Sequence, residues 1–259
     1  MKNVLLITLF CFALFSSCVG SGDLHYARLQ QGQEISSQKG ELDHSAWDSL
    51  LKKYVNEAGF VDYDGFQQDR QKLQDYLEYL NQNAPQKSWG LNEQFAFYIN
   101  LYNAATVEII LENNQPESIK DIGSTVNPVW IHDFIKVGGK EYSLADIEKG
   151  VLQKMGDPRI HFAINCASYS CPKLQNKAFT ASNVDELMKK SAREFVNSGK
   201  NDLNDSSNPK LSSIFKWYKS DFTDSGMNLI QYVNQYADNK ISEGASIDYK
   251  DYDWSLNKQ

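Results

Sequence analysis

The chain has 259 residues, of which 41% are hydrophobic, and a formal net charge of -7 from 33 acidic and 26 basic side chains. This length and hydrophobic content are enough for a substantial core, and we expect one large domain rather than two small ones. Because an acidic surface repels a phosphate backbone, we expect no nucleic-acid partner.

Residues 1–17 have the pattern of an export signal. An apolar run of about a dozen residues, from Val4 to Phe15, follows Lys2 and precedes small residues that end at Cys18. The run is shorter than the roughly 20 residues that span a bilayer as a helix, which is typical of a cleaved signal peptide. The sequence "FSSC" resembles the lipobox of bacterial lipoproteins, in which the cysteine becomes the first mature residue and carries acyl chains.

The N-terminal pattern therefore predicts an exported protein that is lipid-anchored through Cys18 in the bacterial cell envelope, at the outer membrane or the periplasmic face. More than one acyl chain holds a protein firmly on a membrane. The alternative is a plain secretory peptide that is cut a little later. Residues 18–40 are polar and rich in Gly, Ser and Gln, which predicts a flexible tether. Residues 41–259 are predicted to form a single domain.

The first half of this domain is predicted to be helical. Apolar residues at spacings of three and four predict helices over about 45–55 and 70–82, and "FVDYDGF" between them is predicted to be extended. A third helix, from about Asn92 to Asn113, is apolar on nearly every side and is therefore predicted to be central and buried. We assign Asn92 as its N-cap.

The second half mixes extended and helical patterns. Gly138-Gly139 predicts a hairpin, and a helix capped by Ser143 follows it. "RIHFAIN" is predicted to be a buried strand, "NVDELMKKSAREFVNS" a helix, "KLSSIFKWY" a strand, "DSGMNLIQYVNQYADN" a capped helix and "ASIDYKDYDWSL" an extended tail. Together these elements predict an α+β fold, mostly helical, with a small, mainly antiparallel sheet around the buried central helix.

Five ordered motifs between about Asp43 and Asn257 resemble domain-of-unknown-function family 547. They are "FAFYINLYNAATV", "GKEYSLADIEKGVL", "DPRIHFAINCASYSCP", "KLSSIFKWYKSDF" and "YKDYDWSLN". The suggested similarity of this family to papain-like or transglutaminase-like enzymes implies a thiol site. Lys149 stands where members often have histidine, and a lysine is a poor replacement for a histidine base at neutral pH unless burial lowers its pKa.

Cys166 and Cys171 are the two cysteines of the predicted domain. Either one suits the nucleophile of a thiol-dependent hydrolase or acyl transferase, because a thiolate attacks a carbonyl when a neighbouring imidazole lowers its pKa and a third group orients that base. The candidate bases are His161 and His132, and the candidate orienting groups are Asn100, Asn103 and Glu93 on the central helix.

Strand geometry limits the possible pairs. On a straight strand His161 and Cys166 would point to opposite faces and lie about 16 Å apart. A Cys–His pair then requires Cys171 to fold back toward His161, or His132 to arrive from another loop. Cys166 is slightly favoured as the nucleophile because it ends the predicted strand in a loop. Asn100 and Asn103 share a face of the buried helix and must be hydrogen-bonded, either in a site or as a polar bridge in the core.

The alternative is a non-enzymatic cell-envelope module with a structural Cys166–Cys171 disulfide. Exported proteins are found where disulfides persist, and such a bridge would silence both thiols. The aromatic residues of the later motifs would then serve to bind an unidentified peptide, glycan or partner protein: Trp130, Trp217, Tyr218, Tyr249, Tyr252 and Trp254.

We expect neither a cofactor nor a metal. The spacing of His161, Cys166 and Cys171 matches no standard zinc pattern. The sequence has no P-loop spacing, and the G-x-S-x-G elbow of serine hydrolases is missing.

Overall fold

The computed structural model describes residues 23–30, 32–35 and 40–259. The predicted signal peptide and Cys18 lie outside these residues. Part of the predicted tether is described and contacts the domain: Leu24 and Ile35 are buried, and the Tyr98 hydroxyl donates a hydrogen bond of 2.7 Å to the His25 carbonyl. Within the described residues, no helix combines the length and the apolar character needed to cross a membrane.

Helices make up most of the regular structure, as predicted. The α-helices are α1 (Ser45–Tyr54), α2 (Tyr63–Gln68), α3 (Arg70–Gln82), α4 (Leu91–Glu112), α5 (Ile160–Ala163), α6 (Val184–Val196), α7 (Ile214–Trp217), α8 (Lys219–Thr223) and α9 (Leu229–Asn234). A π-helix covers Asp146–Leu152, and short 3-10 helices cover Ile119–Asp121, Val129–Ile131 and Gln153–Met155.

Two separate pairs of strands complete the fold of the described residues. Strands β1 (Ile135–Val137) and β2 (Lys140–Tyr142) form the antiparallel hairpin predicted at Gly138-Gly139. Strands β3 (Lys210–Leu211) and β4 (Asp248–Tyr249) pair in parallel and join the C-terminal tail to the domain. The predicted α+β architecture with a small sheet is therefore confirmed.

Helix α4 is the centre of the domain. Nearly all of its side chains are buried, and α2, α3, α6 and the π-helix pack around it. Such all-round burial is what a helix without a polar face requires. Its N-cap is Gly90, so the assignment of Asn92 as N-cap is wrong. Asn92 instead donates a hydrogen bond of 2.8 Å to the Ala181 carbonyl.

The helix predicted after Ser143 forms, but with π geometry over Asp146–Leu152. Ser143 and Asp146 cap its start reciprocally, because the Ser143 hydroxyl accepts from the Asp146 N–H at 3.1 Å and donates to its carboxylate at 2.6 Å. π-Helical turns are rare and occur frequently at functional sites. This turn carries Glu148 and Lys149, which line a cavity rich in aromatic side chains.

The strand predicted for "RIHFAIN" is wrong, because Ile160–Ala163 form the single-turn helix α5. Asp157 fixes the turn before it by accepting from the Arg159 backbone at 2.9 Å and from its guanidinium group at 2.6 Å. A short apolar run fits a buried helix as well as a buried strand. The separation of about 16 Å expected for His161 and Cys166 on a strand therefore no longer applies.

Two further extended predictions are also wrong. "FVDYDGF" contains α2, whose first turn is capped by the Asp62 carboxylate accepting from the Gly65 N–H at 2.8 Å. "KLSSIFKWY" is extended only at β3 and then forms α7. Asp62 caps the short helix α2, and the apolar pattern reveals neither this helix nor α7.

The buried hydrophobic side chains of residues 23–30, 32–35 and 40–259 form two clusters. The larger surrounds α4, and the smaller joins the C-terminal helices around Phe162, Phe215 and Phe222. Helix α5 lies between them, since Ile160 packs in the first cluster and Phe162 in the second. The segment that carries His161 and leads to the cysteines is therefore held by both halves of the core.

Candidate dithiol site

Cys166 and Cys171 lie side by side in one loop. Both are free thiols, and their sulfur atoms are 2.6 Å apart. Cys171 is buried, whereas Cys166 is partly exposed. The Cys171 sulfur also accepts a hydrogen bond of 3.0 Å from the backbone N–H of Cys166. The two sulfur atoms are thus close enough to form a disulfide, and the bond between these residues stays a prediction.

Two asparagines hold this segment, residues 164–172, which we call the cysteine loop. Asn103 on α4 donates to the Ala163 carbonyl at 2.9 Å and accepts from the Asn165 N–H at 2.8 Å. Asn165 in turn donates to the Pro172 carbonyl at 2.7 Å and accepts from the Ala167 N–H at 2.8 Å. Ala167 has a φ of +58°, a conformation uncommon for a residue with a Cβ atom. These bonds fix the loop that brings the cysteines together.

The C-terminal tail, residues 252–259, covers the cysteine loop from outside. The Tyr169 N–H donates to the Ser255 carbonyl at 2.7 Å, and the Asn257 N–H donates to the Ala167 carbonyl at 3.0 Å. The motif "YKDYDWSLN" therefore meets "NCASYSCP" in space. The two motifs build the site jointly although they are far apart in the chain.

The surroundings of the two thiols are electrostatically unequal. Burial works to raise the pKa of Cys171, but four lowering effects together outweigh it: hydrogen bonds from the Cys166 thiol, the Tyr252 hydroxyl and the Cys166 N–H, and the positive charge of Lys200. The pKa of Cys171 is lowered to about 7. The hydrogen bond to Cys171, together with burial, raises the pKa of Cys166 well above its ordinary value. Cys171 is therefore the thiolate of the pair, and Cys166 keeps its proton.

A cavity of about 410 Å³ borders the sulfur atoms, a volume suited to a small molecule. Trp217 and Ile131 stand at its rim, where about half of each side chain is exposed. Trp217 stacks on Trp254 with ring centroids 5.8 Å apart. The aromatic residues of the lining are Tyr102, Trp130, Trp217, Tyr218, Tyr252 and Trp254, and the polar ones include Glu148, Lys149 and His161.

Glu148 is the buried carboxylate of this cavity. Its two oxygen atoms accept hydrogen bonds from the Tyr218 hydroxyl at 2.6 Å and from the Tyr102 hydroxyl at 3.1 Å. Burial and the nearby negative charge of Glu148 raise the pKa of both tyrosines far above the ordinary value. The tyrosines therefore stay protonated and act as donors to Glu148.

Neither candidate histidine is hydrogen-bonded to a sulfur atom among the described residues. His161 lines the cavity, but its Nε2 pairs with the Asp221 carboxylate at 2.8 Å and its ring stacks on Tyr218 with centroids 4.0 Å apart. The Nε2 of His132 lies 2.8 Å from the Asn127 carbonyl, and His132 lines a different pocket. The geometry brings His161 to the cysteines' cavity and leaves His132 outside it.

Glu93 and Asn100 do not line the cavity either. Glu93 accepts hydrogen bonds from the backbone N–H groups of Glu41 and Leu42 at 3.2 and 3.1 Å, and burial raises its pKa despite these bonds. Asn100 binds both the N–H and the carbonyl of Phe179. Both residues hold other segments of chain against α4.

Several residues that shape the site were not predicted to lie beside the cysteines. Glu148 could be placed only on a helix, since the π register that turns it into the cavity leaves no recognisable pattern. Tyr252 binds the Ser168 hydroxyl at 2.9 Å and lies 3.4 Å from the Cys166 sulfur. Lys200 donates to the Cys171 carbonyl. These contacts join distant parts of the chain, and only the aromatic content of the last motif pointed toward them.

The fold and cavity define an α+β domain that carries two free thiols against an aromatic wall. A family model described as "Protein of unknown function, DUF547" matches residues 86–196, which include α4 and both cysteines. The match supports the family resemblance of the sequence motifs over this segment. The comparisons with curated proteins and with solved structures gave no match. Within the part of the chain that the structure describes, no cluster of three or more His, Cys, Asp or Glu side chains could hold a metal ion.

Proposed function

We propose that the protein performs thiol–disulfide exchange through Cys166 and Cys171 on a thiol compound that enters the aromatic cavity. One observation carries the proposal: two free sulfur atoms lie 2.6 Å apart beside a cavity of about 410 Å³. The export pattern of the N-terminus supports action in the cell envelope, where disulfides can persist.

The two thiols differ in exposure and in pKa, and both differences suit this chemistry. In the oxidised form, a substrate thiolate attacks the more accessible sulfur, Cys166, and forms a mixed disulfide while Cys171 leaves as a thiolate. A leaving thiol with a lower pKa leaves faster, and the Tyr252 hydroxyl, the Cys166 N–H and the positive charge of Lys200 all act to lower the pKa of Cys171. A second substrate thiolate then attacks the substrate sulfur of the mixed disulfide and releases Cys166. Two substrate thiols are oxidised to one disulfide, and the protein disulfide is reduced to the dithiol.

The reverse direction uses the same pair. The Cys166 thiol passes its proton to the Cys171 thiolate, 2.6 Å away, and the resulting Cys166 thiolate attacks a substrate disulfide, whose first half leaves as a thiolate. This thiolate takes the proton from Cys171 and departs as a thiol. The Cys171 thiolate then attacks the Cys166 sulfur of the mixed disulfide and expels the second half of the substrate as a thiolate.

Thiol-dependent acyl transfer is a second candidate, because the Cys171 sulfur can also accept the Cys166 proton when Cys166 attacks a carbonyl. The surroundings favour it less. The nearest backbone donors are already used, since the Cys166 N–H binds the Cys171 sulfur and the Ala167 N–H binds the Asn165 side chain. An oxyanion formed at Cys166 would lack these two donors.

The test equilibrates the wild type, Cys166→Ser and Cys171→Ser in glutathione buffers of graded potential, followed by acid trapping, alkylation and mass measurement. We expect the wild type to interconvert between dithiol and disulfide. Cys171→Ser should accumulate a glutathione adduct on Cys166, because the resolving thiol is gone, whereas Cys166→Ser should accumulate much less, because Cys171 is buried.

Three outcomes distinguish the candidates. A wild type that keeps both thiols, or keeps its disulfide, at every potential would refute exchange. Stable acylation of Cys166 by a thioester probe, without redox cycling, would favour acyl transfer. A permanent disulfide together with ligand binding would favour the non-enzymatic envelope module.

A further inference from the structure

Glu148 is a buried carboxylate that has no cationic partner in the described part of the chain. Only 5% of the residue is exposed, and its two hydrogen-bond donors are the neutral hydroxyls of Tyr102 and Tyr218. No lysine, arginine or histidine among the described residues forms an ion pair with it. Both oxygens accept hydrogen bonds, which is the pattern of an ionised carboxylate.

A buried charge is costly unless it is paired. The tyrosine hydroxyls offset part of this cost for Glu148, but they bring no opposite charge. Since Glu148 lines the cavity rather than the closed core, a ligand can supply the missing cation. The carboxylate is therefore better suited to a cationic ligand than to a neutral or anionic one.

The aromatic wall favours the same kind of ligand. An ammonium group is attracted to the face of an aromatic ring, and tryptophan gives the strongest attraction. Trp130, Trp217 and Trp254 line the cavity together with Glu148. Lys149 also lines it, but this residue is exposed and so adds its positive charge at the solvent side rather than beside the buried carboxylate.

The carboxylate and the thiols are close to one another. Tyr102 donates its hydroxyl to Glu148, and it lines the same cavity as both cysteines. In a cavity of about 410 Å³, a single small molecule can reach both groups. A ligand with an ammonium group a few bonds away from a sulfur atom would match this arrangement.

We infer that the cavity recognises amine-bearing thiols, with the ammonium group paired to Glu148 and the sulfur presented to Cys166. The thiol half of this inference rests on the proposed exchange activity, whereas the ammonium half rests on Glu148 and the aromatic wall. The ammonium group belongs either to a small aminothiol or to a peptide with an N-terminal cysteine.

The first experiment measures how fast thiols of different charge reduce the oxidised protein. Cysteamine is cationic, 2-mercaptoethanol is neutral and mercaptoacetate is anionic. All three are used at equal thiolate concentration. The rate of each thiol with the protein is divided by its rate with a small reference disulfide, which corrects for differences in intrinsic reactivity. We expect cysteamine to be at least roughly tenfold faster than mercaptoacetate after this correction, as a charge-assisted hydrogen bond to Glu148 implies. In Glu148→Gln the ratio should fall toward one.

A matched control and a second variant guard against misfolding. Glu141→Gln removes an exposed carboxylate of β2 outside the cavity and should leave the ratio unchanged. Lys149→Met keeps Glu148 and should increase the preference for cysteamine, because a positive charge at the cavity is removed. If Glu148→Gln does not fold, equal rates for all three thiols in the wild type and in Lys149→Met would still overturn the inference.

The second experiment measures ammonium binding without any thiol chemistry. Tetramethylammonium and ethanolamine are titrated into the reduced protein while its tryptophan fluorescence is recorded, with tert-butanol as a neutral control. Saturable binding of the cations that Glu148→Gln loses supports the inference even if redox exchange fails. Redox exchange with no charge preference and no cation binding leaves the proposed function intact and overturns the inference.

The two sources of the ammonium group are separated by a Cys-Gly-Gly peptide. If the cavity accepts peptides, the peptide with a free N-terminus should react at a rate similar to that of cysteamine. Acetylation of the N-terminus should then lower the rate of the peptide to that of 2-mercaptoethanol. A slow reaction of both peptides beside a fast reaction of cysteamine assigns the site to small aminothiols.

Discussion

Two loops are fastened to the central helix α4 by the same device. Asn100 donates to the Phe179 carbonyl at 2.7 Å and accepts from the Phe179 N–H at 3.1 Å. Asn103 makes the equivalent pair of bonds to Ala163 and Asn165, at 2.9 and 2.8 Å. Both side chains are fully or almost fully buried. The two asparagines are therefore matched in burial, in partners and in host helix.

The two loops differ in the residues to which they lead. The segment held by Asn103 runs directly into Cys166, whereas the segment held by Asn100 leads to α6 and lies away from the cavity. A buried asparagine on a helix thus indicates that a neighbouring loop is hydrogen-bonded to that helix. It indicates a functional site only when the loop carries reactive side chains. Asn100 provides an internal control for Asn103.

The largest expected effect comes from truncating either asparagine. Asn100→Ala and Asn103→Ala each leave one buried N–H and one buried carbonyl without a partner, which should lower the free energy of unfolding by about 2–4 kcal/mol. Only Asn103→Ala should also change the rate at which iodoacetamide alkylates the native thiols, because it releases the cysteine loop. Urea unfolding and native-state alkylation followed by mass measurement test both statements.

Asn239→Ala is the matched surface control for this pair. Asn239 is exposed, lies in the loop after α9, and its truncation should change the unfolding free energy by less than about 0.5 kcal/mol. Equal changes of thiol reactivity in Asn100→Ala and Asn103→Ala would contradict the distinction between the two loops.

The next effect is a pH dependence that belongs to the cysteine loop alone. The pKa of Cys171 falls from its ordinary value of 9.0 to about 7 in the folded protein. A depressed pKa stabilises the fold above the unfolded pKa, and this contribution is lost as pH falls from 9 to 7. Since the pKa of Cys166 is raised, its effect has the opposite sign and reduces stability above pH 9.

We therefore expect the unfolding free energy of the reduced protein to rise by about 1–2 kcal/mol from pH 7 to 9 and then to decline. Cys171→Ser should abolish the rise. Asn103→Ala should weaken it, and Asn100→Ala should keep it. Urea titrations at half-unit pH intervals under a reducing agent measure the curve, and a rise that survives in Cys171→Ser would assign it to another group.

The same contrast explains what the sequence can predict. Helix α4 was predictable because a long segment that is apolar on every side leaves few alternatives to a buried helix. The sequence also predicts that Asn100 and Asn103 are hydrogen-bonded, because buried amides need partners. It does not predict which segments they bind, since their partners lie 60 or more positions further along the sequence.

The cysteine cavity was predictable in part. The thiols and His161 belong to one motif, and the structure places them around one cavity. No hydrogen bond joins His161 to a sulfur atom within the described residues, since the segment is a short helix and His161 pairs with Asp221. The position of Glu148 in the cavity depends on the π-helical register, and the position of Tyr252 beside Cys166 depends on the path of the C-terminal tail. Neither feature leaves a local pattern in the sequence.

The smallest expected effect tests the other attachment of the same segment. The His161–Asp221 pair fastens α5 to α8 at a partly exposed position, with 30% of the Asp221 side chain exposed. We expect Asp221→Asn to lower the unfolding free energy by about 0.5–1 kcal/mol near neutral pH, as for an exposed pair. The hydrogen bond from His161 lowers the pKa of the Asp221 carboxyl below 3.8, so this contribution should be present above pH 4 and lost on acidification.

The rates of thiol alkylation and of exchange should stay unchanged in Asp221→Asn. Asn103, not His161, holds the cysteine loop. Cys171, not His161, accepts the Cys166 proton. Asp221→Ser, which removes the carboxylate in a smaller side chain, should behave in the same way. If instead both variants slow exchange as strongly as Asn103→Ala while remaining folded, His161 must act on the thiols through a contact that forms only with substrate bound. The Cys–His arrangement expected from the sequence would then describe the working site better than the dithiol alone.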